Sequence, residues 1–210
     1  MSIVSRFPIP DLDELDEDVR TQILEARERL GFIPNVYRAL AHRPDEFRAF
    51  FTYRNAVMGH DGGLSAVERE MIVVVTSANA NCTYCVVSHG ANLRLLSGDA
   101  VLADKITIDY RHAPLDSRHR AMLDYAVKLS ARPQEITESD RESLNAASFT
   151  EEEIWDISSV VAFYALSNRL VHALELVPND EFFALGRVLP EPSKTINSPR
   201  NRWLVCDSRR

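Results

Sequence analysis

The sequence predicts an all-α helical bundle. Helix start and stop signals recur along the chain, apolar residues between them repeat at three- and four-residue spacing, and no run alternates convincingly with period two. With 210 residues, the chain is long enough for a sizeable core in one domain or two tightly joined halves.

The elements follow in order. Asp16 to Leu30 carries Val19, Ile23, Leu24, Ala26 and Leu30 at roughly helical spacing, and Gly31 stops it. Phe32-Ile33-Pro34-Asn35 turns into a short helix over Val36–His42. Pro44, at a first helical position, opens a helix over Asp45–Met58 with Phe47, Phe50, Phe51 and Arg54 at i, i+3, i+4 and i+7. A loop over 59–63 precedes a capping box, Ser65 with Glu68, which starts a helix reaching about Ala78. The β-branched run Ile72–Val75 lies inside it, and the clear cap favours helix over strand. Further helices are expected over Thr83–Leu96, ending near Gly98, and over Asp99–Ile106.

The second half repeats this grammar. Asp116–Ala131 is amphipathic and stops before Pro133; Thr137 to Asp140 starts a helix to about Ala146. A second capping box, Thr150 with Glu153, starts a long apolar helix to about Leu176. Two similar hydrophobic helices begun by capping boxes point to two related halves. From Val188 the composition changes: residues 188–210 hold Pro190, Pro192 and Pro199, and five Lys/Arg against two acidic residues. The expected organisation is a helical domain over 1–187 and a basic arm over 188–210, with Trp203 as its apolar anchor.

Composition removes several function classes. A net charge of −7 argues against a broad nucleic-acid or anionic-membrane surface. The seven glycines form neither GxGxxG nor GxxxxGK[ST], so no phosphate-cradling loop is visible. Residues 1–20 lack an apolar export segment and are acidic, and the longest apolar runs fall far below the ~20 residues needed to cross a bilayer. The expected location is cytoplasmic, where thiols stay reduced.

That gives weight to the three cysteines, of which Cys82 and Cys85 form a CxxC. With His89 they stand at i, i+3 and i+7, so two thiols and an imidazole share a stripe at a helix start. The positive end of the helix dipole favours a thiolate, and the thiolate is the nucleophile. The second cysteine can then attack an oxidised first one to give a reversible disulfide. Alternatives stay open: zinc normally wants four ligands, and only His89, Glu70 and distant Cys206 could complete a site, while plain packing is the third reading. By itself His89 reads as a hydrogen-bonded helix histidine, and its place four residues after Cys85 argues otherwise. The dipole alone favours Cys82, nearer the helix start, as nucleophile.

Glu70, Cys82-Thr83-Tyr84-Cys85 and His89 spell E-x11-C-x-x-C-x3-H. This resembles the active-site signature of the alkyl hydroperoxidase D / carboxymuconolactone decarboxylase superfamily. Gly31 to Asn35, Asn81 to Cys85, Phe149 to Ile154, Asn168-Arg169-Leu170 and Pro178 to Phe182 resemble its peroxidase-related branch, over about residues 10–187. The resemblance implies an all-α fold, assembly into homotrimers or hexamers, and thiol-dependent hydroperoxide reduction. It makes Cys85 the peroxidatic cysteine, Cys82 the resolving one, and Glu70 and His89 a proton relay through a bound water. The family histidine before the second cysteine is replaced by Tyr84, which can donate a hydrogen bond at the substrate but is a poor base at neutral pH. The decarboxylase branch lacks the paired cysteines, so their presence argues for redox chemistry.

The reading is thus a thiol oxidoreductase that needs no cofactor or metal, with a hydroperoxide as substrate and a cellular dithiol as reductant. Two competitors use the same residues: a dithiol–disulfide exchanger or redox sensor without peroxidase activity, and a non-catalytic helical assembly protein. Phe47, Phe50, Phe51 and Tyr53 are expected in the core or a subunit interface, and Trp155, Phe163 and Tyr164 in the core. His42, His60, His112, His119 and His172 show no partner spacing.

Overall fold

In the computed structural model, residues 4–60 and 63–187 are described. The basic arm expected over 188–210, with Trp203 and Cys206, lies outside them. Ten α-helices and three short 3-10 turns make up the described residues, with no β-strand. None of these helices is long and apolar enough to cross a membrane.

The helices are α1 (Glu17–Leu30), α2 (Asn35–Leu40), α3 (Pro44–Met58), α4 (Ala66–Asn79) and α5 (Thr83–Ser97) in the first half. The second half has α6 (Leu102–Asp109), α7 (Ser117–Ala131), α8 (Glu138–Ala146), α9 (Glu151–Ala173) and α10 (Glu181–Ala184). Helix α4 runs through the middle. Every residue from Glu68 to Ser77 on it is buried, and it packs on α5, α6, α7 and α9. The β-branched run is therefore helical because its burial all round supplies what its weak propensity lacks.

Caps set the boundaries. Gly31 and Gly98 end α1 and α5 in the left-handed conformation, at φ 82° and 70°, which glycine adopts without a Cβ penalty. Both expected capping boxes form, with the Ser65 and Thr150 hydroxyls accepting from the Glu68 and Glu153 amides. One side chain links them: the Arg118 guanidinium reaches Glu68 at 3.4 Å and Glu153 at 2.6 Å, and lies 3.6 Å over the Phe149 ring.

Three expectations need correction. Helix α6 starts at Leu102 rather than Asp99, because the Asp99 carboxylate accepts from the Val101 and Leu102 amides and caps the turn before the helix. Helix α9 ends at Ala173 rather than about Leu176, since Glu175 turns to φ 50°. Trp155 is 72% exposed: Ile154, Ile157, Val161 and Tyr164 take the inward face of α9, which points position 155 outward. Phe163 and Tyr164 are buried as expected.

The chain entry and exit are stapled together, and this positions the site. The Asn35 amide donates to Asn179 Oδ1 (2.7 Å), Asn179 Nδ2 donates to the Ile33 carbonyl (2.9 Å), and Asn35 Nδ2 donates to the Val177 carbonyl (2.9 Å). Arg94 donates to the Phe182 and Leu185 carbonyls, and Arg187 forms a two-pronged pair with Asp104 at 2.8 Å. These bonds hold α10 on α5 and bring Phe182 to the wall of a cavity beside the CxxC.

Candidate active site

A tight turn delivers the cysteines. Asn81, at φ 53°, reverses the chain after α4, and the Cys82 amide donates back to the Ser77 carbonyl at 2.9 Å. Cys82 is the N-cap residue of α5, and Cys85 lies one turn inside. Both are free thiols, 0% and 2% exposed.

The two sulfurs lie near each other and influence each other's titration. The adjacent Cys85 thiol draws Cys82 down to about 7 against the opposing effect of burial, helped by the Cys85 backbone amide and His172. Cys85 is pushed up, first by the adjacent Cys82 sulfur and then by burial, while the Ser167 and Ser77 hydroxyls pull it back. The dithiol thus loses its first proton below the usual thiol value of about 8.5, and the surroundings favour the charge on the N-cap sulfur, where helix amides point. Access runs the other way. A cavity of about 310 Å³ is lined by Cys85 and not by Cys82.

Glu70 and His89 come together, with His89 on the wall of that cavity and Glu70 bonded behind it. His89 Nδ1 lies 2.7 Å from Glu70 Oε2, with Glu70 4% exposed. Asn92 Nδ2 donates to the other carboxylate oxygen at 3.1 Å. With Nδ1–H given to Glu70, the neutral imidazole presents its Nε2 lone pair, which can take a proton. The His89 ring stands edge-on to Tyr164, centroids 4.7 Å apart. Among the described residues, the hydrogen bonds of His89 run to Glu70 and not to either sulfur.

Tyr84 has its ring on the cavity wall, while its hydroxyl accepts from the Val36 amide at 3.0 Å. Burial chiefly holds this phenol above its ordinary range. Phe50 and Phe51 line the cavity as well as packing in the core, beyond the core-or-interface role expected of them. Tyr53 is 49% exposed.

Several wall residues carry no sequence motif. Asn92 extends the Cys85–His89 stripe by three residues, so its spacing could have found it. Arg54, Tyr164 and Ser167 arrive from α3 and α9 and had no local signal. Of the five histidines without partner spacing, His172 Nε2 bonds the Ala80 carbonyl (3.0 Å) behind Cys82, and His60 bonds Asp156 (3.0 Å). Among the described residues, no three His, Cys, Asp or Glu side chains form a group that could hold a metal ion.

The sequence model of the carboxymuconolactone decarboxylase family matches residues 44–98, the stretch that supplies Glu70, both cysteines and His89. A peroxidase-related protein from Ralstonia eutropha JMP134, described as an alkylhydroperoxidase AhpD core, is 49% identical with a TM-score of 0.88. The match covers 90% of this chain and 100% of that one. The chain belongs to the AhpD-like carboxymuconolactone decarboxylase family. A second peroxidase-related member, from Silicibacter sp. TM1040, is 39% identical over 89% of this chain and 97% of its own, with a TM-score of 0.84. Human Sestrin-2 is 27% identical over 168 residues, which is 80% of this chain but 32% of Sestrin-2; the chain spans about a third of that relative's length. The debrominase Bmp8, at 18% identity and TM-score 0.68, shares the fold. The peroxidase-related members carry the fold found in this chain.

Proposed function

We propose that this AhpD-like protein reduces hydroperoxides through the Cys82–Cys85 dithiol. The observation that carries the reading is that Cys85 opens onto a cavity whose wall also holds His89, itself bonded to Glu70, with Cys82 one helical turn behind. The Cys85 thiolate attacks the terminal peroxide oxygen. The S–O bond forms, the O–O bond breaks, and the alkoxide leaves as an alcohol with a proton from His89. Cys82 then attacks the sulfenic sulfur, forming the disulfide and releasing water. A dithiol reductant takes the disulfide back to two thiols.

The Cys85 proton gives the first step its trigger. Its passage to Cys82, or its uptake by His89 through a water, frees Cys85 as thiolate. Glu70 keeps the imidazole oriented through Nδ1.

Burial favours small reactants over direct protein dithiol exchange: a small hydroperoxide, and a small dithiol reductant after it, can enter the cavity that leads to a sulfur only 2% exposed. The same reading takes the protein as a cytoplasmic homotrimer or hexamer with an antioxidant role. Stopped-flow peroxide consumption tests it. Cys85→Ser is expected to lose turnover, and equal rates for the variant and the parent protein would end the proposal.

A further inference from the structure

The cavity over Cys85 holds charged groups that the peroxidase cycle does not use. Arg54 of α3 lines it, half-buried, with its guanidinium bonded to the neutral Asn55 side chain at 3.2 Å. Fully buried Tyr164 lines the same cavity. Arg54 and the reacting sulfur thus share one cavity. Among the described residues, no carboxylate pairs with Arg54, whereas Arg48, six residues earlier on the same helix, is bonded to three aspartates. Arg29, from the end of α1, adds a second guanidinium to the lining. The rest of the wall is mostly aromatic and aliphatic, with Phe50, Phe51, Phe163 and Phe182 among it.

A cationic group without a counter-charge, in a pocket of apolar walls, is costly unless an anion meets it. The cavity of about 310 Å³ is roughly twice the ~150 Å³ that accommodates a benzene ring. That space suits an aromatic or short aliphatic body with a polar group at each end. Guanidinium offers a planar fork that matches a carboxylate in two parallel hydrogen bonds.

We propose that the cavity selects organic hydroperoxides that carry a carboxylate, with Arg54 holding the carboxylate while the peroxide end meets Cys85. This rests on the peroxidase reading above and names its substrate class. Arg54 acts in binding; the redox step is the one already written, in which the peroxide is reduced to an alcohol and the sulfur oxidised to the sulfenic acid.

The test separates binding from chemistry. Calorimetry on the reduced full chain would compare 4-phenylbutanoate with 4-phenylbutanamide, matched in size and inert to thiols. The acid is expected to bind about ten- to a hundredfold tighter, the range for a hydrogen-bonded charge pair, and Arg54→Gln to collapse that ratio towards one. The comparison within the unmodified protein needs no variant, so poor folding of Arg54→Gln does not remove the test. In turnover, the hydroperoxide of 4-isopropylbenzoic acid is expected to exceed its methyl ester in kcat/KM by a similar factor, mainly through KM. Equal affinity for acid and amide, no binding of the acid, or a ratio unchanged by Arg54→Gln would overturn the anchor. If the ratio holds but Cys85→Ser consumes the hydroperoxide at the parental rate, the anion site stands, and the peroxidase reading falls together with the substrate class.

Discussion

Replacing Glu70 by Gln changes one charge in the site and little else. The amide has the shape of the carboxylate, so its oxygen can still accept from His89 Nδ1, now 2.7 Å from Glu70 Oε2. Asn92, which donates to Oε1 at 3.1 Å, can turn its own amide to accept from the new NH₂ group. Stability should therefore change by less than about 1 kcal/mol, since no buried donor is left without a partner. The chemistry should suffer more. A hydrogen bond to an ionised acceptor is about twice as strong as a neutral one near 1.5 kcal/mol, so the imidazolium loses about 1.5 kcal/mol. A loss of that size in the proton-transfer step is about tenfold in rate. With weaker orientation added, kcat/KM for peroxide should fall about ten- to a hundredfold, below the ~10²–10⁴ that a whole general base contributes. Stopped-flow peroxide decay across pH 6–9, with thermal melting alongside, checks this. A Glu70→Gln protein within twofold of the parent at every pH would refute the relay, because Glu70 would then be only a buried structural acid.

Three further outcomes follow. The dithiol should titrate with a first midpoint near 7, so thiolate absorbance at 240 nm should climb between about pH 6 and 8. A midpoint at or above the ordinary ~8.5 would remove the influence of Cys85 on Cys82. The same shift has a stability sign: Cys82 binds its proton more weakly folded than unfolded, so its contribution is present at alkaline pH and lost as pH falls through about 7. Urea midpoints of the reduced protein, measured against those of Cys82→Ser, should show that loss on acidification. Arg118→Ala should cost about 2 kcal/mol, because Glu68 and Glu153 lose a shared partner and Phe149 its stacked cation. In a chain of this size that is a fall of about 4–8 °C in Tm, and an unchanged melting curve would show that the two capping boxes stand independently.

Much of the fold was legible because its boundaries are local. Ser65, Thr150, Gly31 and Gly98 act within a few residues of themselves, and each falls where the sequence places it. The corrected edges involve side chains or torsions that spacing does not reveal: the Asp99 cap ahead of α6, and the Glu175 reversal after α9. Trp155 was misplaced because α9 is apolar nearly all round, so its period does not declare an outward face. At the site, Cys82, Cys85 and His89 lie on one element, and Glu70 follows from the signature spacing. Arg54, Tyr164 and Ser167 were invisible because they meet the cysteines only through packing of α3 and α9 around α4 and α5. The Asn35–Asn179 staple also links distant segments, though both belong to stretches that carry the family likeness.

The central claim is that access, not proton affinity, selects the nucleophile: the charge is favoured on Cys82, but Cys85 faces the cavity. The direct measurement is to expose Cys82→Ser and Cys85→Ser proteins to one equivalent of hydroperoxide with dimedone present, and to map the sulfenic adduct by peptide mass spectrometry. The account predicts an adduct on Cys85 in Cys82→Ser and none on Cys82 in Cys85→Ser. An adduct on Cys82 in Cys85→Ser, with Cys85 unmodified in the other variant, would contradict it and return the nucleophile to the helix N-cap.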